Sequence, residues 1–156
     1  MTGRQLVNIL MIGGLLPFAA LFFASLFEIQ LFAKTAGAAY LAYGAIIASF
    51  LGGIHWGYAI LLIKSTQNAG ESGSESLARG FLALSNIVAL SAWASLLFHS
   101  QLIALLVQIS SFILALGSDS RAYRLNLIPK WFWDLRRIIS VVVVSLHLLL
   151  CGRLLF

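Results

Sequence analysis

A single cysteine, Cys151, excludes an intramolecular disulfide and every cysteine-cluster metal or iron–sulfur site. Charge is nearly as scarce. Only 10% of the 156 residues are charged, against about a quarter in a soluble domain, while 61% are hydrophobic and the mean hydropathy is +0.99. A water-soluble globule is thereby excluded. Acidic residues are fewest, five against ten Lys and Arg, and in a membrane chain the net charge of +5 marks cytoplasmic loops rather than nucleic-acid binding. Proline occurs twice. Pro17 falls inside an apolar run and, with Gly13 and Gly14, predicts a kink near its middle; Pro129 fits the first turn of a helix.

Long apolar runs are what the sequence does have. Crossing a bilayer core takes roughly 20 apolar residues as helix, because every backbone N–H and C=O must find its partner within the segment. Five runs qualify, at about 6–27, 36–63, 80–98, 102–117 and 131–156, and they predict one all-α, polytopic membrane domain of five helices. The first run is too long for a signal peptide and lacks a small-x-small cleavage site. The second amounts to about 42 Å of helix, so it must tilt or start at the interface. Residues 99–101 make a tight turn that predicts antiparallel packing of the third and fourth helices. No internal repeat is present, so the two-fold design common in transporters has no support.

Five crossings put the N-terminus, the 64–79 loop and the 117–137 loop on one side. Eight of the ten basic residues lie there; Lys34 and Arg153 lie on the other. The positive-inside rule then predicts a cytoplasmic N-terminus and an outward C-terminus. The first helix begins six residues from Met1, which leaves no room for a mitochondrial presequence and makes a bacterial inner membrane the expected home. The 64–79 loop is rich in Ser, Gly and Asn, as a flexible connector is.

Small residues recur every fourth position in the second helix: Gly44, Ala48 and Gly52 on one stripe, Ala45, Ser49, Gly53 and Gly57 on the next. Lipid gives helices no hydrophobic drive to associate, so such stripes mark close packing, within the bundle or against a second copy. Intramembrane polar groups are costly and pose a functional question. Counted at 1.5 Å per residue from flanking charges, His55, Asn86, Gln108 and His147 lie about 10–16 Å deep, in one layer. Three readings of that layer are open. The side chains hydrogen-bond neighbouring helices; or His55 and His147 ligate a haem iron through both axial positions; or the layer binds a quinone or relays protons. With Asp119 placed in the 117–137 loop, no acidic residue falls inside a span to complete a proton path. Ser49 with His55, or Ser140 with His147, lacks a carboxylate to orient the histidine, and His147 with Cys151 offers too few ligands for zinc. No catalytic residue and no resident metal or cofactor are expected outside the haem reading.

The 117–137 segment, GSDSRAYRLNLIPKWFWDLRR, carries five basic residues, two aspartates and an aromatic cluster. It reads as interfacial. Trp131 and Trp133 suit the headgroup region, and Arg136, Arg137 and the neighbouring Asp119 form a charged belt that would meet anionic phospholipids or a protein partner. Asp134 favours a helix start and can pair with Arg137 one turn on.

The run YGAIIASFLGGIHWGYA at 43–59, followed by Asp119, Pro129, Trp131, Leu135, Arg136 and Ser140, resembles the transmembrane protein 69 family, also described as domain of unknown function 3429. The similarity covers essentially the whole chain. It implies a small polytopic protein of bacterial inner membranes or mitochondria, supplies no reaction, and marks Gly52, Gly53, His55, Trp56, Asp119, Trp131 and Arg136. Lys130 intervenes after the proline, Phe132 stands where the family tends to have Tyr, and Ser140 where it tends to have Thr. Packing surfaces abound and catalytic constellations are missing, so the expected role is a non-enzymatic scaffold or assembly partner, binding another membrane protein or itself. The alternative is a haem- or quinone-binding protein using the polar layer.

Overall fold

The computed structural model describes residues 1–27, 33–69 and 72–155. Six helices follow in order: α1 (Gly3–Gly13), α2 (Leu15–Leu26), α3 (Ala33–Ala69), α4 (Ser72–Ser95), α5 (Gln101–Arg124) and α6 (Lys130–Leu155). Helices α1 and α2 are two halves of one apolar run. Five segments are therefore long and apolar enough to cross a membrane: Gly3–Leu26, Thr35–Ser65, Ser74–Ser95, Gln101–Arg124 and Lys130–Leu155. This is the all-α, five-span membrane architecture that hydropathy predicts.

The break between α1 and α2 follows from Pro17, which lacks an N–H and whose ring presses on the carbonyl four residues back, at Gly13. The first helix stops at Gly13 and the second resumes at Leu15. The Tyr43 hydroxyl donates to the Gly14 carbonyl at 2.9 Å and ties the break to α3. At its start α1 has a capping box: Thr2 Oγ1 accepts from the Gln5 N–H, and Gln5 Oε1 accepts from the Thr2 N–H. No residue of α1 is buried.

Helix α3 is the packing centre, in contact with α2, α4 and α5. Gly44, Ala48 and Gly52 face inward and are buried. A Cβ on Gly52 would lie 2.9 Å from the Ser85 carbonyl, so the α3 and α4 backbones touch there, as a small-residue seam permits. The seam is narrower than the sequence pattern predicts. Gly53 and Gly57 are exposed, with nothing within 4 Å of a would-be Cβ, because one further residue turns each about 100° away from the seam.

Two buried apolar clusters run along the bundle. The larger includes Phe18, Tyr40, Ala48, Leu105, Phe112 and Leu150; the smaller gathers Tyr58, Phe81, Ala122 and Ile128. Helix α5 extends to Arg124, past the boundary expected at 117. It ends in a Schellman motif: the Leu127 N–H donates to the Ala122 carbonyl and the Asn126 N–H to the Tyr123 carbonyl, with Asn126 at φ 57°. At the opposite end Ser100 caps α5 by accepting from the Ile103 N–H, and the short 96–100 connection sets α4 and α5 side by side as expected.

Candidate functional site

Extending α5 by two turns carries Asp119 from the expected loop into the bundle. Along this helix Ala104, Gln108, Ser111, Ala115, Asp119 and Ala122 are all buried, one inward stripe at helical spacing. Asp119 meets His55 and Tyr58 of α3 and Arg136 of α6. His55 Nε2 lies 3.2 Å from Oδ1, the Tyr58 hydroxyl donates to the same oxygen at 3.3 Å, and Arg136 Nε lies 2.8 Å from Oδ2. Arg136 Nη1 in turn donates to Ser140 Oγ at 3.1 Å. His55, Asp119 and Arg136 are 0%, 2% and 3% exposed. An ion pair so far from water persists only when its remaining hydrogens and lone pairs are satisfied. Here His55 and Tyr58 both meet Oδ1, the Arg136 Nε approach to Oδ2 is an ion pair without hydrogen-bond geometry, and His55 Nδ1 and Arg136 Nη2 have no hydrogen-bond partner among the described residues.

A second buried network surrounds His147 of α6. Its Nε2 faces Gln108 Oε1 at 3.2 Å; Gln108 Nε2 donates to the Leu41 carbonyl at 2.7 Å and to Ser95 Oγ at 2.9 Å. Its Nδ1 lies 2.8 Å from the Val143 carbonyl and 2.9 Å from the Tyr40 hydroxyl, so each ring nitrogen faces an oxygen that can only accept. Four of the five spans meet at this network: α3 through Tyr40 and Leu41, α4 through Ser95, α5 through Gln108 and α6 through His147.

The four residues expected to form one layer are thus divided. Gln108 and His147 are together. His55 belongs to the Asp119 cluster, and Asn86 is exposed on α4, its amide returned to the Leu82 carbonyl of its own helix. The Gln108 side chain packs directly on Gly44, beside His147. The expectation that no acid lies within the spans is overturned by Asp119, and with it the placement of Asp119 and Arg136 in an interfacial belt: each is buried and neutralises the other. Trp131 does stay at the periphery, with Arg4 of α1 5.2 Å above its ring, and Trp133 stacks on Tyr123. Arg137 is exposed and 4.0 Å from Asp134, which pairs more closely with Lys130 at 2.7 Å. Among the described residues, no group of three His, Cys, Asp or Glu could hold a metal ion.

Beside the Asp119 cluster runs a cleft of about 440 Å³ between α1, α2, α3, α5 and α6. Its walls are apolar, including Met11, Phe18, Ile47, Leu51, Phe112 and Val143, and its only polar side chains are Arg136 and Ser140. This is the feature that sequence reading missed. Residues 136, 140 and 143 fall on one face of α6, the sole available signal for it.

The family model for the protein of unknown function DUF3429 matches residues 4–151. The chain belongs to this family. It is also 38% identical over 109 residues to transmembrane protein 69 of Xenopus tropicalis, which covers 68% of this chain and 38% of that protein. The chain thus spans little more than a third of that relative's length. No solved structure matches the chain. Within this DUF3429 chain, the residues that carry the resemblance divide by position. His55, Asp119 and Arg136 form one buried cluster, Gly52 makes the α3–α4 contact, and Gly53, Trp56 and Trp131 lie at or near the surface.

Proposed function

We propose that the chain is a membrane-embedded binding protein whose cleft takes a lipid-like ligand. One observation carries this reading: a cleft of about 440 Å³, apolar throughout except for Arg136 and Ser140, beside a buried ion pair. Its size falls in the range of small-molecule sites, and apolar walls with a few convergent polar groups are the usual composition of such sites. The reading keeps the ligand-binding alternative drawn from the sequence but moves it from the His55, Asn86, Gln108 and His147 layer to the α6 face. The test is purification of the full chain in mild detergent, followed by organic extraction. One lipid-like species enriched over the host membrane and lost in Ile47→Trp, which fills the cleft, is the expected result. An extract that matches bulk membrane lipid overturns it.

A second reading, a scaffold or assembly partner, is favoured by α1, a half-helix with no fully buried residue. Its partners would be another membrane protein or a second copy, with anionic phospholipids at the basic face. A protein that purifies as a monomer without any membrane partner counts against it. For setting we propose a bacterial inner membrane with the N-terminus in the cytoplasm, supported by the eight-to-two division of basic residues.

A further inference from the structure

We infer that the head of the ligand in this cleft is a neutral carbonyl on a planar ring, the chemistry of a prenylated quinone; the inference rests on the binding role proposed above. The polar groups of the lining offer hydrogens. Arg136 sets Nε 2.8 Å from Asp119 Oδ2 and donates from Nη1 to Ser140 Oγ, while Nη2 is buried and has no hydrogen-bond partner among the described residues. Ser140 Oγ accepts from Arg136, which leaves its own hydroxyl hydrogen to donate. A ligand that meets these two side chains must accept hydrogen bonds.

Charge then selects the acceptor. Asp119, 2.8 Å from Arg136 Nε, already balances the guanidinium. An anionic head would face that carboxylate beside buried side chains, where the dielectric is low and like charges repel strongly. A neutral carbonyl meets no such repulsion and still takes the hydrogens. Ring shape follows from the walls. Phe18, Phe50, Phe112 and Phe132 bring four phenyl groups to the lining, and aromatic groups favour offset or edge contacts with another flat ring. A glycerol backbone has no face to offer them.

The experiment adds three defined probes to the detergent-solubilised full chain and follows the midpoint of thermal unfolding, which a ligand specific to the folded state raises. The probes are a short-chain prenylated benzoquinone, a diacylglycerol and phosphatidylglycerol. The quinone is expected to raise the midpoint saturably. Ser140→Ala should weaken its binding roughly fivefold, the loss of about one hydrogen bond, Ser140→Thr should restore it, and Ile47→Trp should abolish it. A quinone effect indifferent to both Ser140→Ala and Ile47→Trp overturns the assignment of this cleft. Stabilisation by diacylglycerol or phosphatidylglycerol instead, lost in Ile47→Trp, overturns the quinone class and leaves the binding role standing. No shift with any probe, together with an extract of bulk lipid composition, overturns both.

Discussion

Gly44 and Gln108 share one volume: the Gln108 amide oxygen occupies the place where a Cβ on residue 44 would project, and His147 Nε2 lies 3.5 Å from that point. Gln108 cannot swing aside cheaply, since its amide nitrogen is held by the Leu41 carbonyl and Ser95 Oγ. Gly44→Ala is therefore expected to destabilise the bundle by about 1–3 kcal/mol, the usual cost of overpacking. Gly53→Ala and Gly57→Ala, which meet nothing, serve as controls and should be nearly silent in thermal unfolding in detergent. Equal losses at all three positions would show that the seam is wider than Gly44, Ala48 and Gly52.

Asp119→Leu or Arg136→Met removes one member of a buried ion pair and leaves the other uncompensated. Each single change should cost about 3–5 kcal/mol, whereas Asp119→Leu with Arg136→Met should recover most of the loss, because an apolar pair needs no desolvation. Chemical unfolding of the four proteins gives the coupling directly. Additive losses would mean that the 2.8 Å contact contributes nothing.

His55 and His147 stand in different hydrogen-bonded networks, one on Asp119 and the other on Tyr40 and Gln108. The protein purified from haem-replete cells is accordingly expected to be colourless. Sharp low-spin bands that vanish in both His55→Ala and His147→Ala would restore the bis-histidine reading.

Among the described residues five segments are long and apolar enough to cross a membrane, and an odd number of crossings would put the two ends of the chain on opposite faces. Reporters fused within the 64–79 segment and at the C-terminus should report opposite compartments, the former cytoplasmic. The same compartment for both would mean an even number of crossings between the two fusion points.

The spans and their number are legible in the sequence because backbone satisfaction in lipid demands long apolar helices. Facing is less legible than span: Ser85 is buried, and about 100° of rotation carries its neighbour Asn86 outward. Asp119 escaped because Gly117, Ser118 and Ser120 read as loop by hydropathy. The inward stripe from Ala104 through Gln108 and Ala115 continues to Asp119 without a change of period, and that periodicity was the available signal. The cleft has no one-dimensional signature, since its walls come from five helices.

The Asp119–Arg136 pair also bears on how the chain enters the bilayer as it is made. Either charge alone within a span opposes insertion, by less than the about 3 kcal/mol of a helix centre because each lies nearer one end of its helix. The two belong to consecutive helices joined by five residues, 125–129, so they can leave the insertion machinery as one hairpin with the charges already opposed. His55 and Tyr58 lie upstream on α3, synthesised before either. The acid thus arrives to find its hydrogen-bonding partners in place, and the base follows last, which makes the order of synthesis the order in which the charges are accommodated.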